Sequence, residues 1–82
     1  MAEQSSQPRG MEEFEGDSKW FYKNIDSLRK ENSGKYVAIK DKKIIASGKD
    51  IEIVVEMVEK KGENPAYIVM EFLYPEGTVI LL

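Results

Sequence analysis

The stretch "GKYVAIKDKKIIASGKD", residues Gly34 to Asp50, sets two short apolar runs, Tyr36–Ile39 and Ile44–Ala46, around Lys40, Asp41, Lys42 and Lys43. Two runs rich in β-branched residues, separated by a short polar break, read as a β-hairpin. With Asp41 and Lys42 as the central turn residues, Ile39 faces Ile44, Val37 faces Ala46, Tyr36 faces Ser47 and Lys35 faces Gly48. Directly opposed residues share a side of the sheet, so Val37, Ile39, Ile44 and Ala46 form one face. Tyr36, Ala38, Lys40, Lys43, Ile45 and Ser47 form the other. Lys42 then takes positive φ at some cost, or the loop opens to four residues in the same register.

Working outward, Phe21, Ile25 and Leu28 recur at helical spacing with Trp20 alongside, after Asp17 or Ser18 as N-cap. Helix one therefore runs to about Lys30, and Asn32 and Gly34 end it. On the other side Asp50 caps helix two, with Ile51, Val54, Val55 and Val58 as the buried stripe and Gly62 as its end. Its β-branched residues are weak helix formers, so packing must hold it, and a strand over Ile51–Val55 is the alternative. "AYIVMEFLY" alternates as a strand, Pro75 and Gly77 make a turn, and Thr78–Leu82 closes the chain as a strand.

The order α-β-β-α-β-β, with a right-handed crossover between strands two and three, predicts an α+β two-layer sandwich. Its sheet has four antiparallel strands in the order 2-1-3-4. Both helices are expected over Val37, Ile39, Ile44, Ala46, Ile68, Met70, Phe72 and Ile80. Alternation then places Tyr36, Ala38, Ile45, Val69, Leu73, Val79 and Leu81 on the opposite, open face. That patch is too apolar to stay wet, so either helix one crosses to cover it or a second molecule does through a two-fold axis. The candidate interaction surface is accordingly Tyr36, Ile45, Val69, Leu73, Val79 and Leu81, and the expected partner is a second copy or another protein.

Length limits the rest. A chain of 82 residues makes one domain and buries only roughly 60% of the surface that its unfolded form exposes. Residues 1–16 hold Gln, Ser, Pro, Gly and Glu with Phe14 as the one aromatic, which predicts a disordered tail ahead of a domain over 17–82. The absence of cysteine suits a reducing cytoplasm, and no apolar run is long enough to span a membrane. The Glu- and Lys-rich charge content leans toward a thermophile's composition.

Catalytic chemistry is sparsely provided for. Without His or Cys the common nucleophile–base pairs and most transition-metal sites are removed, so no enzyme, metal or cofactor is expected. Ser47-Gly48-Lys49 resembles part of a phosphate loop, but position 43 is Lys where the loop needs Gly. The acidic run "EEFEGD" lacks the alternation and terminal Glu of a calcium loop. Glu71 sits among apolar strand residues, where a solvated or Lys-paired carboxylate is the ordinary reading. Trp20, Phe21 and Tyr22 form either a core contact or a base-stacking platform, and helical spacing favours the core.

Charge is uneven along the chain. Residues 29–49 carry seven bases against Glu31 and Asp41, whereas the chain as a whole is at −3. Lys35 and Lys49 lie at the open end of the hairpin and Lys40, Lys42 and Lys43 at its tip, about 15–20 Å apart at the rise of a strand. They protect a sheet edge or form a spread footprint for an acidic partner, and edge protection is favoured. A nucleic-acid-associated protein using Lys35, Lys40, Lys42, Lys43 and Lys49 is the alternative function.

Trp20, Asn24 and Leu28, followed by Gly34, Lys35, Val37, Ala38, Gly48, Lys49 and Asp50, resemble the pattern of a family of small archaeal and bacterial domains of unknown function. That pattern has a Trp-x3-Asn-x3-Leu helix, Gly-Lys-Trp-Val-Ala, a turn, Gly-Lys-Asp and a second helix. The resemblance covers roughly residues 20–73, with Tyr36 in place of the usual Trp and Lys42 in place of a common turn Gly. It implies the hairpin–helix fold and no activity.

Overall fold

The structure, a computed structural model, describes residues 10–75. Its elements are α1 (Met11–Lys23), α2 (Ile25–Asn32), β1 (Lys35–Ile39), β2 (Ile44–Gly48), α3 (Ile51–Lys60), a 3-10 turn (Pro65–Tyr67) and β3 (Val69–Leu73). The fold is α+β, but among the described residues it has three α-helices and a three-stranded antiparallel sheet of order β2-β1-β3. This corrects the expected two helices and four strands. The strand expected over Thr78–Leu82, with Val79, Ile80 and Leu81, lies outside the described residues, as do residues 1–9 of the expected tail.

Two local features account for the additional helix. Met11 to Gly16, read as tail, are the first turns of α1. Glu13 accepts the Gly10 N–H at 2.9 Å, and Glu12 and Glu13 occupy the positive end of the helix dipole. At Asn24 the helix breaks. The Asn24 side-chain amide donates to the Trp20 carbonyl at 2.9 Å, the same oxygen that accepts its backbone N–H at 3.0 Å. Asn24 adopts φ −110° and ψ 17°, and α2 begins after it with Leu28 N–H on the Asn24 carbonyl at 3.0 Å. The Asn32 amide repeats the contact on the Leu28 carbonyl at 3.2 Å.

The hairpin turn forms as the sequence requires, with Asp41 and Lys42 both at positive φ, 54° and 60°. Lys40 and Lys43 exchange backbone bonds of 3.0 and 3.2 Å across it, and Ile39 pairs with Ile44. Beyond that pair the register departs from expectation. A bulge between Ala38 and Ile39 pairs Ala38 with Ala46, Val37 with Ser47 and Tyr36 with Gly48. The extra residue puts both Ile45 and Ala46 in the cluster beneath α3, while Ile44 packs on the other side.

The third strand also falls in the opposite register, with Lys35 opposite Leu73, Val37 opposite Glu71 and Ile39 opposite Val69. Val69 and Leu73 therefore join Val37 and Ile39, in a core closed by Phe21, Trp20, Ile25 and Leu28 from α1 and α2. Ala38, Ala46 and Ile68 pack against Val54 and Val58 of α3 in a second core on the other face. Helices cover both faces, so the expected two-layer arrangement with an open face is replaced by helix–sheet–helix layering. The cause is physical: a strand buried on both sides is apolar at both parities, and "YIVMEFL" gives alternation nothing to choose between.

Helix α3 starts after Asp50, whose carbonyl takes the N–H groups of Ile53 and Val54 at 3.1 and 3.3 Å. It ends at Gly62, at φ 84°, with Gly62 N–H on the Glu59 carbonyl and Glu63 N–H on that of Val58. The strand alternative for Ile51–Val55 is thus replaced by helix. Among the described residues no helix is long and apolar enough to cross a membrane.

Candidate functional site

Two features bear on the candidate site: a clamped hairpin tip and a row of partly exposed apolar side chains at the opposite end of the sheet.

At the tip, Asp17 of α1 is only 3% exposed and its carboxylate faces the turn. It accepts the N–H of Lys42 at 2.9 Å and of Asp41 at 3.2 Å, across 25 and 24 residues of chain. Asp17 therefore caps the hairpin turn instead of starting the helix. The lysines here are partly neutralised: Lys40 forms an ion pair with Glu63, and Lys42 shares a surface hollow with Glu12 and Glu13. Lys43 is exposed beside them. Lys35 and Lys49 lie at the far end of the hairpin, so the structure separates the five predicted basic contacts into two groups, and the tip group sits among carboxylates.

The open end carries the row. Tyr36, opposite Gly48 on one side and Phe72 on the other, lies on the α3 face of the sheet. Its ring is 4.9 Å from that of Phe72, tilted by 60°, and Phe72 is 4.9 Å from Tyr74 edge-on. At the β2 end the missing side chain of Gly48 leaves room for Ile53, whose Cγ2 lies 3.3 Å from where a glycine Cβ would stand. Ile53 is 46% exposed and Tyr74 44%, and Tyr36 and Phe72 are half-buried. Four large side chains thus run from the start of α3 across β2 and β1 to the end of β3. Arg29 closes that end, donating from Nε to the Tyr74 carbonyl at 2.8 Å and pairing with Asp26 at 3.0 Å.

The predicted interaction surface does not assemble as one patch. Val69 and Leu73 are buried under α1 and α2, whereas Tyr36 and Ile45 pack toward α3 on the opposite face. Val79 and Leu81 lie outside the described residues. Phe72, Tyr74 and Ile53 were missed, although Phe72 and Tyr74 stand at strand spacing, two residues apart. Their signal was hidden by the register, which alternation could not fix. Nor was the clamp by Asp17 readable, since nothing local ties it to a turn 24 residues away.

The remaining motifs have structural roles. Trp20 and Phe21 belong to the core, and Tyr22 is on the surface, where its hydroxyl donates to Glu71 at 3.3 Å. The carboxylate of Glu71 raises the Tyr22 phenol above its ordinary value by charge repulsion first, with lesser contributions from burial and from the hydrogen bond. Ser47-Gly48-Lys49 ends β2, with Gly48 under Ile53. Among the described residues no group of three acidic side chains is placed to hold a metal ion.

The positions that carried the resemblance acquire reasons in this geometry. Gly34 takes φ 75° and donates to the Leu73 carbonyl at 2.7 Å, tying the start of β1 to the end of β3. Val37 and Ala38 are fully buried in the two cores, and Gly48 admits α3. No curated protein and no solved structure matches the chain. The pattern of a family of unknown function (DUF5678) matches residues 28–72, from α2 through β3, and the chain belongs to that family.

Proposed function

We propose that this domain is a non-enzymatic protein-interaction module of the cytoplasm and that the row Ile53–Tyr36–Phe72–Tyr74 is its contact surface. The observation that carries the reading is the row itself. Ile53 and three aromatic side chains stand partly exposed at one end of the sheet, with Tyr36, Phe72 and Tyr74 packed ring against ring. Aromatic side chains supply the anchoring contacts of protein interfaces because they bury much area at little entropic cost. The composition supports a non-enzymatic role, with neither His nor Cys to act as base or nucleophile, and the lack of cysteine suits a reducing compartment. The lysine hairpin lends little to a nucleic-acid role: Lys40 is held by Glu63, and Lys42 sits beside Glu12 and Glu13.

Site-specific photocrosslinking tests the reading. Benzoylphenylalanine placed at Tyr74 and irradiated in native cell extract should give a protein adduct, and the same group at Glu56, on the exposed side of α3, should give none. Equal labelling from both positions, or none from Tyr74, overturns it.

A further inference from the structure

We propose that α1 is a lid over one face of the sheet, hinged at Asn24 and latched by Asp17, and that it opens as one unit with the hairpin tip. What α1 buries lies in its second half. Phe21 is the one apolar residue it buries fully, Trp20 packs against the same core, and Met11 to Glu15 are exposed throughout. A helix with so little buried apolar surface opens more readily than β1, whose Val37, Ala38 and Ile39 are fully buried between two cores. α1 ends at Asn24, which at φ −110° and ψ 17° separates it from α2. α2 has its own ties to the sheet: Ile25 and Leu28 pack on the core, and Arg29 donates to the Tyr74 carbonyl. Just beyond α2, Gly34 N–H bonds to the Leu73 carbonyl. An opening of α1 can therefore stop at Asn24.

The latch couples the lid to the tip. Asp17 is where α1 holds the turn, through the N–H groups of Asp41 and Lys42. When α1 lifts, both N–H groups lose this acceptor at once. The turn, with two non-glycine residues at positive φ, then loses the contact that offsets its strain. Relaxation of that strain favours the open state, so the tip loosens as the helix leaves. The face uncovered holds Val37, Ile39, Val69 and Leu73. It lies opposite the row, so the lid works whatever the row binds.

Native-state amide exchange on the full chain, followed residue by residue by nuclear magnetic resonance in low urea, tests the lid. The amides of Ser18 to Phe21 and those of Asp41 and Lys42 should share one opening equilibrium. It should lie at least about tenfold further toward the open form than that of Val37 to Ile39. It should also depend less steeply on urea, because less surface is exposed. Asp17→Asn should accelerate the α1 and tip amides by the same factor. Ile68→Val, in the core under α3, should accelerate Val37 to Ile39 by about threefold to tenfold and leave the α1 and tip amides unchanged, since that core stays folded when the lid opens. Exchange of α1 at the rate and urea dependence of β1, or an Ile68→Val effect on both, means that α1 unfolds only with the whole domain and overturns the lid. Tip amides that exchange at a rate unlike that of α1, or that respond alone to Asp17→Asn, overturn the coupling.

Discussion

Removing the Asp17 carboxylate should cost this small domain much of its stability. The hairpin turn puts two residues with side chains, Asp41 and Lys42, in the left-handed region, at φ 54° and 60°. Each such residue costs about 1 kcal/mol, so the turn by itself is uphill by about 2 kcal/mol. Asp17 offsets this with two charge-assisted bonds, 2.9 Å to Lys42 N–H and 3.2 Å to Asp41 N–H, from a carboxylate residue that is itself buried. Asp17→Ala removes both acceptors and leaves the N–H groups to find water at the edge of the core. At about 1–3 kcal/mol for a bond lost at such a site, and with partial resolvation, the expected cost is about 2–4 kcal/mol. Domains of this size have about 4–12 kcal/mol in total. Asp17→Asn keeps an oxygen but not the charge and should cost about half as much. Urea unfolding followed by the fluorescence of Trp20, the one tryptophan and a neighbour of the α1–sheet core, measures both. Amide exchange at Asp41 and Lys42 should accelerate first. A loss below about 0.5 kcal/mol for Asp17→Ala, the range of ordinary surface changes, would refute the clamp.

Lys42→Gly should stabilise the fold by about 0.5 kcal/mol, since relief of the left-handed strain exceeds the added chain entropy of glycine; a lower urea midpoint than wild type would contradict the positive φ. Leu73→Ala, at a fully buried position under α1 and α2, should cost about 2–5 kcal/mol, read as a lower urea midpoint by circular dichroism. A folded Leu73→Ala protein of unchanged stability would place Leu73 at the surface. Glu71→Gln should lower the Tyr22 titration toward its ordinary 10.0, read as the phenolate absorbance lost between each protein and its Tyr22→Phe counterpart. The sign follows from the raised folded value: the interaction favours the folded state fully below pH 10 and is lost as pH rises through the Tyr22 midpoint. An unchanged midpoint would show that Glu71 does not face Tyr22.

What the sequence determined by itself was local. Asp41 and Lys42 at the turn, Ile39 opposite Ile44, the start of α3 after Asp50 and its stop at Gly62 follow from turn chemistry, a left-handed glycine and a 3.6-residue repeat of apolar positions, although the Asp50 side chain makes no cap bond. Each depends on residues within a few positions of one another, so a short window holds the whole cause. The relative placement of elements was a tertiary decision. Alternation selects a strand's register only when one side is polar, and here Val37 and Ala38, or Val69 and Met70, are adjacent residues that face two different cores. The bulge that sends Ala46 under α3 and the register that turns Val69 toward α1 and α2 could be settled only by helices arriving on both faces. Asn24 broke the helix by bonding to Trp20, one turn away, a competition with the backbone that spacing cannot reveal. Asp17 read as a helix cap because that is its commonest local use, and it became the clamp of a distant turn because α1 packs alongside the hairpin. The exposed row has the same origin. Ile53, Tyr36, Phe72 and Tyr74 come from three elements and became neighbours only when the register of β1 with both of its partners was fixed.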